Sequence, residues 1–245
     1  MRDEPAARRR DASASAVPRA ELPSELVSGV RAAATDQTAL ARERLVESLQ
    51  AAVDAYNRGR YEEAARRIGP VVQAAPGIAG VREVAGLASY RARRWRAAIE
   101  HLRAYTALTD DMTNVPAWMD CERALGHPRN VSRLYERIRV ASPSPEVLAE
   151  ARIVLASSLA DRGGLRQAIE LMVDAGADRR IRNPAERHVR QWYVLADLYE
   201  RTGDVPRARE LFTRVAMADP GAYDVDERIE ELGGSTPTGH RRRGR

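Results

Sequence analysis

The chain of 245 residues contains no lysine, and it has only one cysteine, one phenylalanine and three tryptophans. A single cysteine cannot form a disulfide within the chain, which is typical of a reducing compartment. So few phenylalanines and tryptophans exclude a core built on large aromatic rings. No apolar run approaches the roughly 20 residues that a membrane-spanning helix needs. We therefore expect a cytoplasmic protein whose core consists mainly of small aliphatic side chains.

The absence of lysine makes arginine the only strongly basic residue, and the excess of basic residues lies at the two ends. Residues 1–35 hold six arginines and five acidic residues, and residues 233–245 hold four arginines and no acidic residue. The body between them is neutral. Richness in arginine and alanine favours a high-GC bacterial source such as an actinobacterium. The alternative, that arginine was selected for contacts with phosphates or aromatic rings, requires a spatial cluster of arginines.

One set of residue types recurs with a period near 34 residues. Five units align on a small residue, and the separations between these residues are 34, 33, 37 and 40. A period of this length is typical of stacked helical hairpins, and the two longer separations indicate insertions. The five aligned residues are Ala64, Ala98, Val131, Ala168 and Ala208.

Each unit has the residue types of two helices joined by a tight turn. A turn glycine accommodates a positive φ where the first helix ends. A small residue in the first helix lets the second helix approach, and a large residue fills the gap between hairpins. Pro76 and Pro220 follow second helices and end them. The small residues are Ala52, Gly86, Ala156 and Ala196, and the large ones are Ile68, Leu102, Tyr135, Met172 and Phe212.

The last unit carries the fullest pattern, at Trp192, Leu195, Ala196, Tyr199, Gly203, Ala208, Phe212 and Pro220. At these residues the chain resembles the tetratricopeptide repeat family, and the resemblance extends over about residues 40–220. The third unit departs from the family pattern, with Pro128 and Val131 where an aromatic residue and an alanine are usual. The resemblance implies an all-α superhelix, a solenoid of about five helical hairpins. This fold serves many functions, so it does not identify a partner.

The two ends are predicted to lie outside the repeats. Residues 1–20 and 234–245 have too few apolar side chains to fold alone, so we predict a disordered arm and a disordered arginine-rich tail. Between them, residues 21–35 predict a short capping helix, 36–220 the repeat array, and 221–233 a second capping helix. A repeat stack needs such caps on its exposed end faces.

The sequence offers no motif for catalysis, for a cofactor or for a metal ion. The four histidines are scattered, and none has another histidine or a cysteine at ligand spacing. Neither a phosphate-binding glycine loop nor a nucleophile elbow occurs. Cys121 lies between Asp120 and Glu122, whose charges raise rather than lower the pKa of its thiol. We predict a protein that is not an enzyme and binds no cofactor.

The resemblance implies that the first helix of each hairpin lines a concave face, where a protein or peptide partner binds. The family positions that face the partner hold Tyr56, Asn57, Glu83, Tyr90, Arg91, Asp120, Arg123, Arg190, Tyr193, Asp197 and Arg201. In the co-chaperone members of the family, lysine or arginine and asparagine clamp a C-terminal carboxylate. The matching positions hold Leu49 and Val53 here, which predicts no clamping of that type.

Two features allow more than one interpretation. Asp120 and Arg123 are three residues apart and either pair with each other or anchor a ligand in the middle of the array. The insertion 178–184 carries three arginines and is either a solvated loop or a docking site for an acidic partner.

These observations together predict a non-enzymatic scaffold or adaptor that binds a peptide or partner protein on the concave face. The alternative is an RNA- or ribosome-associated factor whose arginine-rich termini supply weak, salt-sensitive contacts.

Overall fold

The structure is a computed structural model that describes residues 21–141 and 143–233, and these ranges contain thirteen helices and no strand. The predicted N-terminal arm and C-terminal tail lie outside the described residues. The helices are α1 (Ser24–Ala33), α2 (Ala39–Asn57), α3 (Tyr61–Arg67), α4 (Gly69–Ala74), α5 (Ala79–Arg91), α6 (Trp95–Thr109), α7 (Val115–Ala124), α8 (Pro128–Ala141), α9 (Pro145–Ala160), α10 (Leu165–Asp174), α11 (Glu186–Arg201), α12 (Val205–Ala218) and α13 (Val225–Glu231).

The helices form consecutive hairpins, which confirms the predicted all-α fold of about five hairpins. The first helices of the five hairpins are α2, α5, α7, α9 and α11, and each is followed by its second helix. The chain divides into two compact units, with the boundary between Val147 and Leu148 in the first turn of α9. We call the described residues before this boundary the N-terminal unit and those after it the C-terminal unit.

The second helix of the first hairpin is interrupted, so that it consists of α3 and α4. The interruption falls at Ile68, and Gly69 and Pro70 are the first two residues of α4. Proline has no N–H to donate to the helix ladder, and glycine is a weak helix former. The local sequence therefore explains why this hairpin differs from the others.

The turns between the two helices of each hairpin share one backbone conformation. Four of them carry a glycine with φ between 73° and 83°: Gly59, Gly126, Gly163 and Gly203. The corresponding residue of the second turn is Arg93, which has φ 57°. A positive φ is the left-handed region that glycine enters most easily, so four of the five turns follow the expected chemistry.

The core of the N-terminal unit begins where α1 covers the first hairpin. Val30 of α1 is fully buried in a cluster with Leu49 of α2 and Val71 of α4. In the C-terminal unit, Phe212 of α12 lies fully buried in a cluster with Leu195 of α11 and Ile229 of α13. The large residues predicted to fill the gaps are buried as expected: Ile68, Leu102, Tyr135, Met172 and Phe212.

Two helices of one hairpin approach each other closely at Gly86. A Cβ atom placed on Gly86 of α5 would lie 2.6 Å from Cδ2 and 3.2 Å from the backbone nitrogen of Leu102 in α6. The first contact requires the Leu102 side chain to shift, and the second is tighter than most Cβ contacts, so the α6 backbone must also give by a few tenths of an ångström. This agrees with the prediction that a small residue in the first helix lets the second helix approach.

We predict that Gly86→Ala lowers the free energy of unfolding by about 1–3 kcal/mol, because α6 must shift to admit the methyl group. Urea unfolding followed by far-UV circular dichroism measures the change. Gly77→Ala is the matched control, since a Cβ there meets nothing within 4 Å. The control variant should be neutral or more stable by up to about 1 kcal/mol, because alanine restricts the unfolded chain more than glycine does. Equal destabilisation by both variants would contradict the close approach as the cause.

Candidate functional site

The surface formed by α2, α5 and α7, which we call the first-helix face, carries a set of linked polar side chains. The Tyr90 hydroxyl donates to Oδ2 of Asp120 at 3.0 Å. Arg123 Nε donates to Oδ1 of the same carboxylate at 2.8 Å. Asp120 and Arg123 are each 18 % exposed, so the pair is shielded but still reachable. The ion pair that the sequence offered as one interpretation is therefore formed, and its remaining exposure leaves the pair accessible to a ligand.

A second link joins α5 to the start of α7. Asn114, which precedes α7 and is 9 % exposed, donates from Nδ2 to Oε1 of Glu83 at 2.9 Å. The carboxylate of Glu83 therefore satisfies an almost buried amide. This contact fixes the entry of α7 relative to α5.

Aromatic and arginine side chains continue the first-helix face towards the first hairpin turn. The rings of Tyr56 and Tyr61 meet edge to face with centroids 5.3 Å apart. Arg91 lies over the Tyr61 ring at 4.7 Å and donates to its hydroxyl at 2.7 Å. Burial raises the pKa of Tyr56, which the nearby Arg91 charge only partly offsets. Asn57 and Arg91 are exposed, so this end of the face is open to solvent.

In the C-terminal unit the predicted contact residues lie on α11, and α13 or the residue before it bonds to two of them. The Tyr193 hydroxyl donates to Oδ1 of Asp224 at 2.6 Å, and Tyr193 is only 8 % exposed. Arg228 of α13 donates to Oδ1 of Asp197 at 2.9 Å. Tyr193 is therefore not available to a partner while α13 stays in place.

The other two predicted residues of α11 point to α9. Arg190 donates to Oε2 of Glu150 at 2.8 Å, and Arg201 donates to the carbonyl oxygen of Ala160 at 3.3 Å. These arginines connect neighbouring first helices within the C-terminal unit. Arg201 is exposed, whereas Arg190 is half-buried.

One arginine of α13 holds this helix on the last hairpin. Arg228 donates to Asp197 and also to Oε2 of Glu200, at 2.6 Å, and its guanidinium lies 4.8 Å from the centre of the Phe212 ring. Burial alone would lower the pKa of Arg228, but its bonds to Asp197 and Glu200 outweigh burial and raise the pKa. The sequence predicted a capping helix here and did not identify this arginine.

The third hairpin contains a buried carboxylate that sequence reasoning missed. Glu122 is 6 % exposed, and its oxygens accept from Trp118 Nε1 at 3.2 Å and Asn130 Nδ2 at 2.9 Å. His127 Nδ1 lies 2.8 Å from the same carboxylate. This polar network joins α7 to α8 in the unit that lacks the family's aromatic residue and alanine. The signal available in the sequence was the spacing of these four polar side chains along two neighbouring helices.

The charge of Glu122 should make the third hairpin sensitive to acid. Burial raises the pKa of this carboxyl, but hydrogen bonds from Asn130, His127 and Trp118 outweigh burial and lower it below the ordinary value. A depressed pKa contributes stability above the unfolded value of about 4.3, and this contribution is lost as the pH falls through the lower folded value.

We predict that Glu122→Gln lowers the free energy of unfolding by about 1–3 kcal/mol at pH 7. The glutamine keeps only one acceptor oxygen, so its NH2 group would face the N–H donor of either Trp118 or Asn130. The difference from the wild type should shrink below about pH 4, as the folded carboxyl takes up its proton. Urea unfolding between about pH 3 and pH 7 measures it. Glu136→Gln, which removes an exposed carboxylate paired with Arg139, is the control and should show no such trend. A difference that persists undiminished at the acid end of this range would contradict the role of the Glu122 charge.

The single cysteine of the chain lies between two acidic residues of α7. Cys121 is fully buried, and burial followed by the charges of Asp120 and Glu122 raises the pKa of its thiol. The direction agrees with the prediction that the acidic neighbours raise the pKa of this thiol. No cluster of three or more metal-binding side chains occurs among residues 21–141 and 143–233. In the same ranges no helix has the length and apolar character that a bilayer crossing requires.

The insertion 178–184 packs back onto α12 and encloses a groove with it. Arg180 donates to Glu210 at 2.7 Å, and Arg214 donates to the carbonyl oxygen of Asp178 at 2.5 Å. These two contacts anchor the loop, while Arg179, Arg180 and Arg182 remain exposed, as the interpretation as a solvated loop predicts. The groove has a volume of about 740 Å³, with Ile181 and Met217 among its apolar residues. We call it the α12 groove.

Comparisons with known proteins agree with the architecture. The sequence model of the tetratricopeptide repeat matches residues 49–112 and 153–223. A thermophilic tetratricopeptide repeat protein from Thermus thermophilus has a similar crystal structure, with a TM-score of 0.58 at 16 % sequence identity. The similarity covers 77 % of this chain and 98 % of that one. No curated protein matches the chain significantly in sequence.

Proposed function

Because the chain belongs to the tetratricopeptide repeat family, whose repeats generally mediate protein–protein interactions, we propose that it is a scaffold that binds a segment of a partner protein on the first-helix face. The proposal assigns partner contacts to Tyr56, Asn57, Glu83, Tyr90, Arg91, Asp120 and Arg123. In the C-terminal unit, the predicted contact residues of α11 that keep some exposure are Arg190, Asp197 and Arg201, whereas Tyr193 is bonded to Asp224 and only 8 % exposed.

The observation that carries this proposal is the hydrogen-bonded link of Tyr90, Asp120 and Arg123 across α5 and α7. These side chains are held in place before any partner arrives, so binding would not have to order them. Exposed Arg91 and Asn57 lie at the open end of α5 and α2. A face that offers a carboxylate, guanidinium groups and tyrosine hydroxyls together suits a peptide of mixed polarity better than a uniformly charged one.

The residues present do not support the carboxylate-clamp mode of the family. Leu49 is fully buried against α1 and α4, so it cannot contact a ligand. Val53 has no polar group to offer. We therefore propose that the protein binds an internal segment of its partner rather than the partner's C-terminal carboxylate.

We predict that Tyr90→Ala combined with Asp120→Ala reduces capture of the partner by about tenfold or more, because contacts central to an interface dominate its affinity. The measurement is an affinity capture from cells of the source organism with the full chain as bait, quantified by mass spectrometry. Circular dichroism checks that the variant is folded.

Met217→Glu is the matched control. Met217 is 72 % exposed and lines the α12 groove, far in sequence from the first-helix face. Retention of the partner by Met217→Glu and its loss from the double variant would support the proposal. Undiminished capture by a folded double variant would refute it, and loss on Met217→Glu alone would assign binding to the α12 groove.

A further inference from the structure

The turn between α5 and α6 is far more basic than the other hairpin turns. Residues 91–96 contain four arginines and no acidic residue. The six corresponding residues of the other turns, 57–62, 124–129, 161–166 and 201–206, hold at most two arginines each. Genomic bias towards arginine acts on all five turns alike, so it does not explain this concentration. We call residues 91–96 the arginine turn.

The backbone of the arginine turn carries a side chain where the other four turns have glycine. Arg93 adopts φ 57°, the left-handed conformation of Gly59, Gly126, Gly163 and Gly203. A side chain in this region destabilises the turn, and such strain is concentrated at functional sites. Arg93 is also exposed, so burial or packing does not account for its presence.

The arginine turn joins the turn of the first hairpin to form one basic edge of the N-terminal unit. Arg91 donates to the Tyr61 hydroxyl, a neutral partner, and Arg94 forms an ion pair with Glu62. In the part of the chain that the structure describes, exposed Arg93 and Arg96 form no ion pair. Six arginines and two glutamates lie in residues 57–63 and 91–96 together, so this edge keeps a net positive charge of four.

We propose that this basic edge, residues 57–63 and 91–96, binds the phosphate backbone of single-stranded nucleic acid. Guanidinium groups match phosphate geometry. The half-buried rings of Tyr61 and Trp95 lie among the arginines of this edge. Arginines interleaved with aromatic rings are the usual features of a sequence-tolerant single-strand surface. The proposal does not depend on partner binding by the first-helix face.

An acidic protein partner fits the same edge less well. Protein interfaces rely on apolar anchors that enter pockets. The exposed large hydrophobic residues among the described residues are Leu40, Leu108, Val140, Val205 and Met217, and none of them lies in the basic edge. Phosphate binding needs no such anchor, because it rests on charge and on release of counterions.

The test measures binding of the full chain to a fluorescent oligouridylate of about 12 nucleotides, a length within the usual site size of single-strand binders. Arg93→Gly combined with Arg96→Gln removes two phosphate contacts. We expect the slope of log affinity against log salt to fall in magnitude by about 1.4, since each contact to a single strand contributes about 0.7. The Arg93→Gly change should at the same time raise the melting temperature, because it relieves the left-handed strain.

Arg133→Gln combined with Arg166→Gln is the control, since both arginines are exposed and the change in net charge is identical. It also keeps the basic termini, so any binding by the termini is common to both variants. An unchanged slope in the control with a reduced slope in the edge variant would support the proposal. Equal losses in both variants, no binding of oligouridylate, or preferential binding of an oligoglutamate peptide would each overturn it.

Discussion

A helical hairpin cannot cover its own apolar face, and this constraint governs the structure described above. In the N-terminal unit α1 covers the first hairpin, and Val30 completes a cluster with residues of α2 and α4. In the C-terminal unit α13 covers the last hairpin, and Ile229 completes a cluster with Phe212. Both short helices are therefore part of the core of their unit. Their exposed residues are mostly polar, among them Glu25 and Arg31 of α1 and Glu227 and Glu230 of α13, as expected where a repeat stack ends.

The same constraint explains why polar contacts recur one repeat apart. Glu83 bonds to Asn114, and Tyr193 bonds to Asp224, and both pairs are separated by 31 residues. In each case a residue of a first helix contacts the residue that precedes the next covering helix, α7 or α13. The last helix α13 therefore takes the place that a further first helix would occupy. Residues that would contact a partner on an open face contact α13 in the last hairpin instead.

The period of about 34 residues predicted the hairpins, and the small and large residues predicted their packing. The close approach of Leu102 to Gly86 shows why the packing could be predicted, since the size of the residue at the contact determines how close two helices come. The anchoring of the insertion 178–184 on α12, the Arg228 contacts and the Glu122 network were not predictable in the same way. Each depends on side chains that meet across 28 or more residues or across a turn, and a repeat pattern does not encode such meetings. Arg93 was partly predictable, because the sequence showed its place in the aligned turns but not its positive φ.

The most direct test of whether α13 protects α11 is amide hydrogen exchange in the Arg228→Gln variant. Mass spectrometry measures the exchange in the peptides of α11. If Arg228 holds α13 in place, amides of α11 should exchange about tenfold faster or more, which corresponds to about 1.4 kcal/mol of lost local stability. Arg207→Gln, an exposed arginine near Asp204 and the Tyr199 ring, should leave exchange in α11 unchanged. Unaltered protection of α11 in Arg228→Gln would contradict the account, because the last hairpin would then be stable without its neighbour.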